Sequence, residues 1–297
     1  MVNILHWFLC LGFLGICSFP ASAAAEQTVA YTIGTAEVQP LLDVTREMPA
    51  DIFSGASPEI IKSLAPSGKV PSGIFGFLIR QGDRIILVDT GFGKKENPTS
   101  LLLQSLDLAG VKPEAVTHVL LTHLHGDHVG GLAPEGKVAF PNAVVLVSEP
   151  EKTFWFDDAA IAKQPDKKPN ADLARKNLGL YGDKVKTFAF GQVVLPGVTA
   201  LDAVGHTPGH TAFLLESNGK KMLFWGDLVH GAALQFPVPA LCASYDMDQP
   251  KAVETRKRFM AMAADEKIPV AGAHLFAPAV GRVERKGDAF AFAPGVK

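Results

Sequence analysis

Residues 121–132 read LTHLHGDHVGGL and place His123, His125, Asp127 and His128 in one short loop directly after the apolar run Thr117–Leu121. A single histidine on an apolar surface is usually a satisfied structural residue. Four metal-ligating groups within six positions, where a strand ends, point instead to metal chemistry. In a tight loop His123 and His125 can face one side while Asp127 and His128 turn to the other, so two adjacent cations could share it. Imidazole and carboxylate suit Zn, Mn, Fe or Co better than Ca or Mg. A thiolate-rich structural zinc site has no cysteines to build it.

Outward from this loop, β-branched and apolar runs bounded by Gly, Pro, Asn or Asp predict strands at Gly73–Ile79, Arg84–Val88, Thr117–Leu121 and Ala143–Val147. A second series follows at Lys184–Phe190, Val198–Asp202, Thr211–Glu216, Lys221–Trp225 and Ile268–Ala271. Helical periodicity predicts helices over Thr99–Ala109, Pro150–Ala162, Ala171–Leu180 and Pro250–Ala264. Strands and helices therefore alternate in two similar halves. The polar stretch 163–168 (KQPDKK) reads as an exposed loop rather than a domain boundary.

With 297 residues and 47% hydrophobic content, the chain can bury one large core, and residues 26–297 are expected to form a single domain. A formal net charge of -2 supplies no general attraction to nucleic acid, so none is expected as a partner. Residues 1–25 combine an apolar run, Ile4–Phe19, with Pro20 and the small residues Ala21–Ala25, the pattern of a signal peptide. The run is shorter than the roughly 20 residues needed to cross a bilayer. A periplasmic or secreted protein with no stable membrane insertion after cleavage is expected; a homodimer is left open. Cleavage would remove Cys10 and Cys17, leaving Cys242 as a small buried hydrophobe with no disulfide partner.

Together the strings VDTG (88–91), THLHGDH (122–128), GHTPGHT (205–211), WGD (225–227) and AGAH (271–274) resemble the metallo-β-lactamase-fold hydrolases, in order and over most of the chain after residue 25. The resemblance implies an α/β (α+β) fold, a four-layer αβ/βα sandwich of two mixed sheets flanked by helices. It also implies that His123, His125 and His206 hold one divalent ion, that Asp127, His128 and His274 hold the other, and that Asp227 bridges them. By the same resemblance His210 braces the loop, Asp89 orients a ligand, and the two ions, zinc before Mn, Fe or Co, activate a water as nucleophile. His118 is expected to be structural.

Within that fold, the sequence GDLVHGAALQF (226–236) and the segment AGAHLF (271–276) are similar to the subgroup of methyl parathion hydrolase and related lactonases and esterases. This implies a small-molecule substrate: a lactone, aryl ester or organophosphate triester, more apolar than charged. Asp227 would orient the nucleophile, Asp127 would pass a proton to the leaving group, and His230 would donate a hydrogen bond to the carbonyl oxygen. Phe75, Phe92, Phe154, Trp155, Phe156 and Phe236 are candidates to line an apolar pocket. A glyoxalase II-like thioesterase shares the ligand set, although export would separate it from cytosolic thioesters. A β-lactamase would usually carry a different ligand at position 227, and a di-iron oxidoreductase a Glu at position 125. A periplasmic metal-binding protein would close its coordination sphere, whereas this arrangement leaves room for water.

Overall fold

The computed structural model describes residues 29–93 and 99–296; the expected signal segment lies outside them. Two seven-stranded sheets face each other. In spatial order the first contains Tyr31–Ile33, Ala36–Pro49, Lys69–Gln81, Arg84–Val88, His118–Leu120, Val144–Ser148 and Val185–Phe188. Its first four strands pair antiparallel, and the register from Arg84–Val88 onward is parallel. The second runs Ala289–Pro294, Val280–Lys286, Val270–Ala271, Lys220–Phe224, Thr211–Ser217, Val198–Asp202 and Val193–Leu195, with one parallel pairing, Lys220–Phe224 on Val270–Ala271.

Side-chain alternation along the strands separates the two faces of the first sheet. Phe77, Ile79, Ile86, Val88, Leu120 and Leu146 enter the space between the sheets, where Phe213, Leu215, Leu223 and Phe224 meet them. The intervening Leu78, Leu87, Val119, Val145 and Val147 pack outward on the helices Leu102–Leu108, Glu149–Phe156, Asp158–Ala162 and Lys168–Tyr181. Burial on both faces explains why these strands read as near-continuous apolar runs. Each such side chain withdrawn from water contributes roughly 1.5–3 kcal/mol. On the far side of the second sheet lies the helix Gln249–Asp265, its Phe259, Met260 and Ala263 buried in the apolar cluster to which that sheet's side chains belong. The result is the four-layer sandwich with mixed sheets.

The expected helix over 150–162 breaks at Asp157, whose carboxylate caps the second piece by accepting from the Ala159 and Ala160 amides. Residues 163–168 are not a simple loop: a turn of 3-10 helix at Pro165–Lys167 leads straight into Lys168–Tyr181. Among the described residues, no helix is long and apolar enough to cross a membrane. The loops after Arg84–Val88, His118–Leu120, Val198–Asp202, Lys220–Phe224 and Val270–Ala271 converge at one end of the sandwich.

Candidate metal centre

Asp227 stands at the middle of this convergence. Its Oδ2 lies 3.0 Å from His274 Nε2, 3.1 Å from His230 Nε2, 3.2 Å from His206 Nε2 and 3.7 Å from His123 Nε2. Oδ1 lies 3.1 Å from His128 Nε2. Gly226 makes this placement possible: its φ is +53°, and a Cβ there would come within 2.5 Å of His210 Nε2. His210 is spent on bracing, since its Nδ1 donates to the Ala203 carbonyl and its Nε2 accepts from the Asp227 amide.

Two groups share the carboxylate. His123, His125, His206 and Asp227 bring their ligating atoms within 4.8 Å of one another, as do Asp127, His128 and His274. In the first group His125 Nδ1 is 3.0 Å from His123 Nε2 and 2.9 Å from His206 Nε2. The outer nitrogens are already claimed. His123 Nδ1 donates to Thr122 Oγ1, which itself donates to Asp89, and His206 Nδ1 donates to Asp246 Oδ1 at 2.9 Å. Once neutral, these two rings would aim bare Nε2 lone pairs at a common point. His128 Nδ1 is held by Asp89 Oδ2 at 2.8 Å, which turns its Nε2 inward, and His274 Nδ1 donates to the Gly73 carbonyl. His128 Nε2 and Asp227 Oδ1 are buried and have no aligned hydrogen-bond partner, although only 3.1 Å separates them. Buried polar atoms left in this state are costly. Lone pairs converging from imidazoles and carboxylates, with the outer ring nitrogens oriented by a second set of groups, suit a pair of divalent cations.

The electrostatics agree. Burial pushes His123 and His125 well below the usual histidine range, and neighbouring imidazoles add to the effect. Burial works the same way on His206, but Asp227 and Asp246 outweigh it and raise the ring to about 9. Asp227, Asp89 and Asp127 likewise overcome burial to raise His128 well above its ordinary value. Burial alone would raise Asp227, yet the surrounding imidazoles hold it well below the carboxylate range. At pH 7 the metal-free protein thus keeps protons on His128 and His206, which a bound ion must expel. Metal binding at pH 7 is expected to release roughly one to two protons per chain, read by calorimetric titration in buffers of differing ionisation enthalpy. A buffer-independent heat would contradict this.

The cleft above these groups encloses about 310 Å³, lined by Arg46, Phe92, Asp127, Asp166, Lys167, Asn170, His230, Ser244, Tyr245 and His274 among others. This corrects the expected apolar pocket. Phe75, Trp155 and Phe236 are core residues, Phe156 is exposed under Lys152 and Arg175, and Phe154 lines other hollows. Phe92 alone of the six borders the cleft, and Tyr245 joins it. His230 is 1% exposed, stacks on His274 at 5.1 Å and leaves its Nδ1 unpartnered. His118, half-buried, bonds to Thr117 Oγ1, and Cys242 is buried.

Three supporting residues escape a reading of the sequence. Asp246 holds His206 and is itself paired with buried Arg256 at 2.9 Å; Glu151 lies behind the loops. In SYDMDQP (244–250), Asp246 looks like a helix cap, a task that Asp248 performs by accepting from the Lys251 amide.

Residues 71–274 match the profile of the Metallo-beta-lactamase superfamily. Among solved structures, the hydrolase AbOPH of the beta lactamase superfamily is 31% identical, with a TM-score of 0.85 over 90% of this chain and 97% of its own. The dizinc quorum-quenching lactonase AidC, in complex with a product, is 26% identical with a TM-score of 0.81, covering 91% of this chain and 97% of its own. The human acyl-coenzyme A thioesterase MBLAC2 is 29% identical over 171 residues, 53% of this chain and 59% of that protein. The chain spans between 37% and 63% of the length of the curated relatives it matches.

Proposed function

The chain belongs to the metallo-beta-lactamase superfamily, and from that premise we propose that it is an exported hydrolase of lactones, aryl esters or organophosphate triesters, working with two divalent ions, zinc foremost. The observation that carries this reading is the Asp227 carboxylate shared between two groups of converging ligands. His123, His125 and His206 would hold one ion, Asp127, His128 and His274 the other, and Asp227 both. Bound there, the ions supply Lewis acidity toward a carbonyl or phosphoryl oxygen and acidify a water.

The remaining roles fall to side chains that face the cleft. Asp127 is the more open of the two central carboxylates, at 17% exposed, and stays ionised, so it can take a proton and deliver it to the departing oxygen. His230 is lowered by burial to about 4 and is neutral at pH 7. Its Nε2 lies 3.1 Å from Asp227 Oδ2 and, with that carboxylate engaged by the ions, would donate its proton to a substrate oxygen. Arg46 and Lys167 place hydrogen-bond donors at the rim, Lys167 paired with Asp166 at 2.7 Å, which suits a substrate with oxygen acceptors. Export rests on the apolar segment 1–25.

The likeness to AidC favours a lactone, and the likeness to MBLAC2 supports a thioester as the second reading. Residues 26–297 should be assayed on an acyl-homoserine lactone, an aryl ester, a phosphotriester, an acyl thioester and a β-lactam, with and without chelator. Turnover of the first three is expected to fall at least about 10³-fold on metal removal, the loss of several kcal/mol of charge stabilisation. A preference for the thioester would move the assignment to the second reading. Metal-loaded protein inert on all five would remove both.

A further inference from the structure

Glu151 is fully buried near the start of the helix Glu149–Phe156, three residues after its N-cap Ser148. The string SEPE (148–151) has the form of a capping box, in which the glutamate would turn back toward the cap's own amide. Its carboxylate goes elsewhere. Oε1 accepts from the Leu124 amide at 2.9 Å and from Trp155 Nε1 at 2.6 Å; Oε2 accepts from Thr207 Oγ1 at 2.7 Å and from the Gly209 amide at 2.9 Å. Leu124 lies between His123 and His125, and Thr207 directly follows His206. Trp155 stands edge-on to His125 at 5.6 Å. Gly209 permits the close approach, since a Cβ there would come within 2.1 Å of the Glu151 amide nitrogen.

One carboxylate therefore stitches together the two loops that carry all three imidazoles of one group. The other group is braced differently, His128 by Asp89 and His274 by the Gly73 carbonyl. We propose that Glu151 is a positioning residue that sets the affinity of the His123/His125/His206 site for its ion and leaves the Asp127/His128/His274 site unaffected. This rests on the two-ion reading above. Four donors face the side chain, an arrangement that suits a carboxylate. A glutamine would turn an NH2 group toward two of those donors and push the loops apart.

The test is a chelator-competition titration with zinc on wild type, E151Q and T207V, each checked for folding by near-UV circular dichroism without metal. Wild type is expected to bind two ions. E151Q weakens one of them by about 10–100-fold, the range typical for groups that orient metal ligands, and leaves the other within about threefold. In an H274A background the E151Q loss falls on the remaining tight ion; in an H206A background E151Q changes little. Should E151Q not fold, T207V reads the same site, because it removes one donor from Oε2, with an expected loss of about 3–10-fold in the same ion. If wild type binds two ions and the variants weaken both equally or neither, the proposal is wrong and Glu151 serves only the fold. A wild type that binds no ion removes the two-ion reading and this proposal with it.

Discussion

D227A is expected to lower kcat/KM for every accepted substrate by at least about 10³-fold and to abolish tight binding of at least one ion. Its two oxygens face both ligand groups: Oδ2 faces His206, His230 and His274 within 3.2 Å, and Oδ1 faces His128. Its removal leaves the imidazoles facing one another, and protonating them in a buried site without a counter-charge is costly. D227N separates shape from charge. The amide keeps the volume but cannot offer two anionic oxygens, so its activity should also fall by on the order of 10³-fold. Steady-state kinetics with metal content measured on the same samples decides the matter. A D227N enzyme within tenfold of wild type and still holding two ions would show that Asp227 is not the bridge.

D246A is expected to destabilise the metal-free protein by about 3–5 kcal/mol, which in a domain of this size lowers the melting temperature by on the order of 10 °C. Among the described residues, Asp246 is the carboxylate paired with Arg256, which is 1% exposed and also donates to the Leu228, Pro239 and Leu241 carbonyls. Alanine would leave that guanidinium buried without an anion. It would also leave His206 Nδ1 without its acceptor. D246N should cost less, about 1–3 kcal/mol, because the amide oxygen can still accept from one of the two partners. The pH dependence has a definite sign. Burial acts to raise Asp246, but His206 and Arg256 overcome it and hold the group at about 2, below its unfolded value of about 3.9. The stabilisation is thus present above about pH 4 and disappears as pH falls toward 2. Thermal melts of wild type and D246A across that range should converge at the acid end. A melting temperature for D246A within 2 °C of wild type at pH 7 would mean the pair adds no net stability.

The central loop was legible because its ligands are contiguous: His123, His125, Asp127 and His128 need only a strand end and a tight turn to converge. The parallel strands were legible too, since burial on both faces leaves uninterrupted apolar runs. The strand Ala36–Pro49 was not. Its register shifts between Leu42 and Val44, around buried Asp43, and Pro40, Arg46 and Glu47 interrupt the alternation that marks a strand. The hairpin of Val280–Lys286 and Ala289–Pro294 was hidden by the charged run ERKGD (284–288) at its turn. Glu151 and Asp246 carry local signals of helix capping, and their contacts with the metal loops arise only from packing across 27 to 58 residues of chain. Five of the six aromatics, all but Phe92, failed as a pocket forecast because composition cannot distinguish a core ring from a cleft ring.

The most direct test of a metal-dependent ester hydrolase is a zinc back-titration of chelated, inactive protein, followed by hydrolysis of an acyl-homoserine lactone. Activity should return in proportion to added zinc and reach its plateau at two equivalents per chain. Full turnover surviving exhaustive chelation, or a chain that takes up no zinc, would contradict the account at its centre.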